Sequence, residues 1–249
     1  MRRTIIALAL ALCSTWVCAQ EGAGIPMRGA PVNLEDLASL QRGARLFTNY
    51  CLSCHSLKYM RFKRVADDLR LTDEEMEKNL MFTTDRIWDT MTVAMDPEDA
   101  KRWFGAAPPD LSVETRARGA DWVYNYLLTF YKDEDPTRPA GVNNVVFKGS
   151  AMPDVLWRLQ GIQVPVYKEV EGPEGQKHQV IEKLKLEKPG KLSPAEYRRA
   201  AANITAFLVY VGEPAKMVRY DIGPWVLLFL GILFVLSYAL YKQYWSDIH

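Results

Sequence analysis

Residues 47–60 read FTNYCLSCHSLKYM, and the centre of that stretch, Cys51-Leu52-Ser53-Cys54-His55, places two thiols and an imidazole within five residues. Four chemistries use such a cluster: half of a zinc site, a redox dithiol, a structural disulfide, or a pair of thioether bonds to a haem whose iron takes the histidine. The rest of the chain decides among them, and the fold follows from that choice.

Both ends of the 249-residue chain are apolar. Arg2 and Arg3 precede an apolar run from Ile5 to Leu12, and Val17 and Ala19 stand where small residues precede a cleavage site. This pattern predicts a secretory signal peptide over residues 1–19. Its removal takes two of the 31 basic side chains and leaves 30 acidic ones, a net charge of about −1 that gives no reason to expect nucleic acid as a partner. It also takes Cys13 and Cys18, so the mature chain keeps Cys51 and Cys54, in an oxidising compartment. Near the other end, PWVLLFLGILFVLSYALY, from Pro224 to Tyr241, carries no charge and is long enough to cross a bilayer. Trp225 at one edge, and Tyr238, Tyr241, Tyr244 and Trp245 at the other, resemble interfacial aromatic belts. The expected division is a signal peptide (1–19), an exported domain (20–222), a transmembrane helix (223–242) and a cytoplasmic tail (243–249).

Within the exported part the apolar period is mostly helical. Residues 33–50 predict a helix capped by Asn33 that runs straight into Cys51. Further helix starts are expected at Thr72 with Glu75, at Asp96 with Pro97, at Asp110 ahead of LSVETRARGADWVYNYLLTFY, and at Ser193-Pro194 with Glu196. A break near Gly212 and Pro214 separates that last helix from the membrane segment. Residues 161–190 alternate apolar and polar around EGPEGQ and predict a β-hairpin. The loops GAAPPDLS and KDEDPTRPAGVNNVVFKGSAMPD are long enough to wrap a large cofactor.

Zinc needs further ligands, and beyond the cluster only His178 and His249 supply imidazole nitrogens. A redox dithiol belongs at a helix start in a βαβ unit, whereas these cysteines follow a helix. A disulfide across two residues closes too small a loop to stabilise much and leaves His55 unexplained. Thioether attachment of haem c uses every position. Residues i and i+3 of a helical turn face one way, so both thiols reach one porphyrin edge, and His55 stands on the same face. The opposite axial position falls to methionine, a small exogenous ligand or an empty site. Met60 is too near His55, and Met76, Met81 and Met91 fall in helical patterns where methionine packs cores. Met95 and Met152 both lie in loops and are followed within two residues by proline; Met152 has the better position, and spacing alone leaves the choice between them open. Methionine opposite histidine raises the haem potential and closes the iron to small molecules, the pattern of an electron carrier; an open sixth position would suit a haem sensor. A carbonyl of Pro108 or Pro109 is a candidate acceptor for the second ring nitrogen of His55.

RGARLFTNYCLSCHSLKYMRF, GAAPPDLSVETRARGADWVYNYL, FKGSAMPDVL and the terminal YKQYWSDIH, in that order, resemble the cytochrome c1 family, proteobacterial type. The resemblance implies a mainly α, class I cytochrome c-like haem domain with inserted loops, a small β-hairpin and one C-terminal transmembrane helix. It implies one covalent haem c per chain on Cys51 and Cys54, with His55 and Met152 as axial ligands. It places Arg118 beside a haem propionate (with Arg116 the competing arginine), Trp122 at the haem edge, Pro109 and Asn144 along the crevice and Leu111 against the ring. The implied function is that of the electron-transfer subunit of the cytochrome bc1 complex, ubiquinol:cytochrome c oxidoreductase. There it takes one electron from the Rieske [2Fe–2S] protein and passes it to a cytochrome c, beside cytochrome b. The implied complex is a dimer in the bacterial inner membrane, with the haem domain in the periplasm. Rival readings are a free-standing membrane-tethered cytochrome c, or a haem subunit of an oxidase or dehydrogenase. The acidic runs 66–68, 73–75 and 133–135 are candidate docking charges, and Gly223 and Gly231 would let a partner helix approach closely.

Overall fold

The computed structural model describes residues 25–246 apart from 94, 139 and 172–175; the signal-peptide reading, the hairpin tip and the last three residues of the tail lie outside the described residues. Among the described residues the order is α1 (Leu37–Tyr50), β1 (Leu57–Arg61), α2 (Phe62–Asp68), α3 (Asp73–Leu80), β2 (Thr90–Met91) and α4 (Pro97–Phe104). Then come α5 (Glu114–Arg118), α6 (Ala120–Leu128), β3 (Phe130–Lys132), β4 (Val142–Asn144), α7 (Trp157–Gln160), β5 (Gly161–Glu171), β6 (Lys177–Pro189), α8 (Pro194–Gly212) and α9 (Lys216–Tyr244). The strands form three antiparallel ribbons, β1–β2, β3–β4 and β5–β6.

The scaffold is the packing of α1 on α8. Leu40, Ala44 and Phe47 of α1 meet Ile204, Phe207 and Leu208 of α8 in one core, with the Phe47 and Phe207 rings 5.6 Å apart. Gly43 lets the two backbones touch: a Cβ there would fall 2.1 Å from the Asn203 carbonyl oxygen. Ser39 Oγ donates to Asn203 Oδ1 at 2.7 Å beside this crossing.

The capping boxes at Thr72/Glu75 and Ser193/Glu196 form as expected, and Pro97 opens α4 behind Asp96. Three expectations are corrected. Asn33 does not cap α1: its Oδ1 turns onto the Glu35 amide, and Asp36 caps the helix through Ser39 N. The long helix expected after Asp110 is two helices, because Asp110 is drawn onto the Ser112 amide and Gly119, at φ 89° and ψ 154°, breaks the run. Met91 is in a strand, paired with Leu57, and Met81 lies one residue past the end of α3. The hairpin at 161–190 is present but long, with strands of 11 and 13 residues, and a small separate core of Tyr131, Val145 and Ile181 lies beneath it.

Helix α9 is 29 residues long, none of them buried, and is apolar enough to cross a membrane. It begins at Lys216, before the uncharged stretch, and carries Pro224 inside. Tyr238, Tyr241 and Trp245 form a ladder of rings at its far end.

Candidate haem site

The cysteine turn continues α1. Cys51 and Leu52 both donate their amides to the Phe47 carbonyl, and Cys54 and His55 donate theirs to Cys51, at 3.0 and 2.8 Å. Leu52 is buried in the core, so the turn is clamped from below. Both cysteines are free thiols. Burial, with Cys54 nearby, pushes the Cys51 thiol up to about 12. Among the described residues no three His, Cys, Asp or Glu side chains gather as ligands for one metal ion.

His55 is buried, and its Nδ1–H donates to the Pro109 carbonyl at 2.8 Å. A carbonyl can only accept, so Nδ1 carries the proton and Nε2 keeps its lone pair. Burial lowers the affinity of this imidazole for a second proton, outweighing the Pro109 contact and the carboxylates of Glu114 and Asp110. The result is a neutral imidazole with a fixed tautomer, the form that ligates a metal.

Strand β1 holds the segment carrying Pro109. Lys58 N donates to Asp110 Oδ2, Tyr59 N to Ser112 Oγ, and Leu111 N to the Ser56 carbonyl. Leu111 is partly buried against the main core.

A second wall grows from α5 and α6. The Arg118 guanidinium lies 4.4 Å from the centre of the Trp122 ring and 5.6 Å from that of Phe147. Its Nε donates to Glu114 at 2.6 Å, while the stem of Arg116 packs beside Gly212 of α8. Trp122 stacks on Tyr126 at 5.0 Å, and the Tyr126 hydroxyl pairs with Ser150 Oγ at 2.7 Å. Asn144 is fully buried: its Oδ1 accepts from Thr129 Oγ1 and from the amides of Val146 and Phe147, and its Nδ2 donates to the Tyr126 carbonyl. These bonds tie the loop that leads to Met152 onto α6.

The sequence profile of the cytochrome C1 family matches residues 29–164 and 191–248. The chain belongs to the cytochrome c1 family. It is 48% identical, over the full length of both chains, to cytochrome c1 of Allochromatium vinosum. It is 41% identical, again over both full lengths, to a protein of Nitrosomonas europaea named ammonia monooxygenase gamma subunit. With cytochrome b/c1 of Bradyrhizobium diazoefficiens it shares 29% identity over 88% of this chain and 34% of that one.

Cytochrome c1 is a haem c protein of the bc1 complex, and the residues gathered here fit that cofactor: two free thiols and a tautomer-fixed imidazole share one turn. The structure brings His55 and Pro109 together directly, and Arg118, Trp122 and Asn144 into the second wall. Glu114 joins the two, lying near His55 and paired with Arg118. Met152 is half-buried between Ser150 and Asp154, whose carboxyl is pushed up to about 6 by burial. Met95 is half-buried just ahead of the α4 cap. Tyr126, Phe147 and Ser150 were not singled out from sequence; the four-residue step from Trp122 was the signal for Tyr126, and nothing marked the other two. Most of the acidic runs are occupied at home: Asp67 and Asp73 bind Lys63, Asp68 binds Arg64, Asp133 and Asp135 bind Arg138, and Glu75 closes a capping box.

Proposed function

We propose that this chain carries one haem c through thioethers at Cys51 and Cys54, with His55 and Met152 as axial ligands. In this reading it is the redox subunit of ubiquinol:cytochrome c oxidoreductase, taking an electron from the Rieske [2Fe–2S] protein and delivering it to a cytochrome c. When bound, the haem supplies a one-electron couple, and the chain itself makes and breaks no substrate bond.

The observation that carries the reading is the His55–Pro109 hydrogen bond, which prepares Nε2 as a ligand on the turn that presents both thiols. Pro109 thus acts by orienting His55 rather than by touching iron. The terminal nitrogens of Arg118 have no hydrogen-bond partner among the described residues, which suits them to a propionate. Leu111 and Trp122 supply apolar wall that keeps water from the cofactor, and Asn144 holds the Met152 loop in place.

Helix α9 anchors the domain beside cytochrome b, a neighbour supported by the name of the Bradyrhizobium relative. Among the described residues a Cβ at Gly223 or Gly231 would meet nothing within 4 Å, so both glycines leave room for a partner helix. The signal-peptide pattern of residues 1–19 supports a periplasmic haem domain and a cytoplasmic C-terminus. A second reading, a haem subunit of a different membrane enzyme, is favoured by the name of the Nitrosomonas relative.

Gentle solubilisation followed by affinity capture of this chain tests the assignment. Cytochrome b and a Rieske centre should co-purify; capture with oxygenase subunits, or alone, would overturn it. For the distal ligand, Met152→Leu should abolish the low-spin methionine-ligated spectrum and admit carbon monoxide, whereas Met95→Leu should leave both unchanged. The reverse result would move the ligand to Met95.

A further inference from the structure

The family profile passes over residues 165–190, which are nearly the whole β5–β6 hairpin. The register of that hairpin sorts its charges. Ile162 pairs with Lys188, Val164 with Lys185, Val166 with Lys183 and Lys168 with Val180, so these residues share one face. The other face carries Ile181 and Leu184 into the small core and includes Glu169 and Glu171. Glu169 is paired there with Lys177. Glu182 and Glu187 are left over at the two register irregularities.

Among the described residues Lys168, Lys183, Lys185 and Lys188 make no ion pair, in contrast to Lys63 and Lys78 elsewhere. The row ends in a cleft of about 530 Å³ at the hairpin base, lined by Trp157, Arg158, Ile162, Lys188 and Lys191. Arg158 lies 5.4 Å from the centre of the Trp157 ring, itself 46% exposed, and neither Arg158 nor Lys191 makes an ion pair among the described residues. The cleft floor is closely packed. A Cβ at Gly161 would fall 2.2 Å from the Lys188 carbonyl and one at Gly190 2.4 Å from that of Leu159, and the Lys191 amide donates to Arg158.

We propose that β6 and this cleft form a docking site for an extended acidic segment of a protein partner. Strand β6 pairs with β5 alone among the described residues, so its outer edge is open to a further strand. Carboxylates at alternate positions of an extended segment recur about every 6.6 Å, the repeat that separates Lys183 from Lys185 on their shared face. Lysines on a free edge repel a second copy of this strand and attract one of opposite sign. A flat lipid surface would not reach the concave cleft, whereas an acidic side chain would meet Arg158, Lys188 and Lys191 there.

The test uses the intact membrane complex in detergent and a fluorescein-labelled peptide of alternating glutamate and threonine, followed by anisotropy. The peptide should bind with an affinity that weakens as salt rises. Binding should fall roughly tenfold or more in K183E/K185E/K188E, and by less in K183Q/K185Q/K188Q, whose thermal midpoint should match the parent. Slowed hydrogen exchange along β6 on peptide addition is also expected. An equal loss in K78E/K101E/R102E would reduce the effect to net charge and overturn the site, as would absent binding or unprotected β6 amides. If the hairpin reversals instead abolish flotation with phosphatidylglycerol vesicles and leave peptide binding intact, the surface faces lipid and the proposal fails.

Discussion

Asn144 is a buried side chain that behaves like backbone, closing the turn after β4 by accepting two amides and fastening it to α6 by donating to Tyr126. Replacing it with leucine keeps much of the volume but leaves the buried Thr129 hydroxyl, two part-buried amides and a carbonyl without that partner. Asn144→Leu should therefore lose about 2–4 kcal/mol in denaturant unfolding. It should also raise the fraction of molecules that bind carbon monoxide, because the Met152 loop is released. The family resemblance named this position from its surroundings, but the amide's four partners come from two segments, 126–129 and 146–147, and no spacing announces them. His55 is the opposite case. Its position was legible from CLSCH, and the acceptor was narrowed to Pro108 or Pro109; the choice of Pro109 needed the fold, since β1 sets which carbonyl arrives. Arg116 and Arg118 separate in the same way, one along α8 and the other onto Trp122.

Helix α1 shows what an element contributes beyond its own residues. Alanine is the better helix former by about 1 kcal/mol, so Gly43→Ala would help an isolated helix. In the fold the added methyl would lie 2.1 Å from the Asn203 carbonyl oxygen and 2.8 Å from Phe207 Cβ, backbone and inner side-chain atoms that cannot swing aside. Overpacking wins, and the variant should lose about 1–3 kcal/mol in net stability, read as a lower thermal midpoint. Because the Cys51 turn hangs from the Phe47 carbonyl, the same variant should lower the yield of covalently attached haem. The capping boxes of α3 and α8 and the Asp96-Pro97 start of α4 made those helices legible. The split at Gly119 and the short strands β1–β2 and β3–β4 were not, because two- and three-residue ladders have too few positions to show an alternation.

At the scale of the whole molecule, the haem domain and α9 are separable. Among the described residues none of Lys216–Tyr244 is buried, so α9 adds nothing to the described core. A chain ending at Glu213 should leave the membrane fraction, as measured by sedimentation, and keep the thermal midpoint and visible spectrum of the full chain. A large drop in midpoint would show that α9 packs on the domain. The sequence by itself determined the CLSCH cluster, the apolar terminal helix and the mainly α class, because each is written in contiguous residues: a five-residue cluster, an uncharged run, a helical period. Only the tertiary structure decided the wall of Arg118, Trp122, Tyr126 and Phe147, the orientation of His55 by Pro109, and the sorting of Lys168, Lys183, Lys185 and Lys188 onto one face of the hairpin. Those features depend on residues brought together from distant segments, and on two strand irregularities that shift every later side chain to a new register.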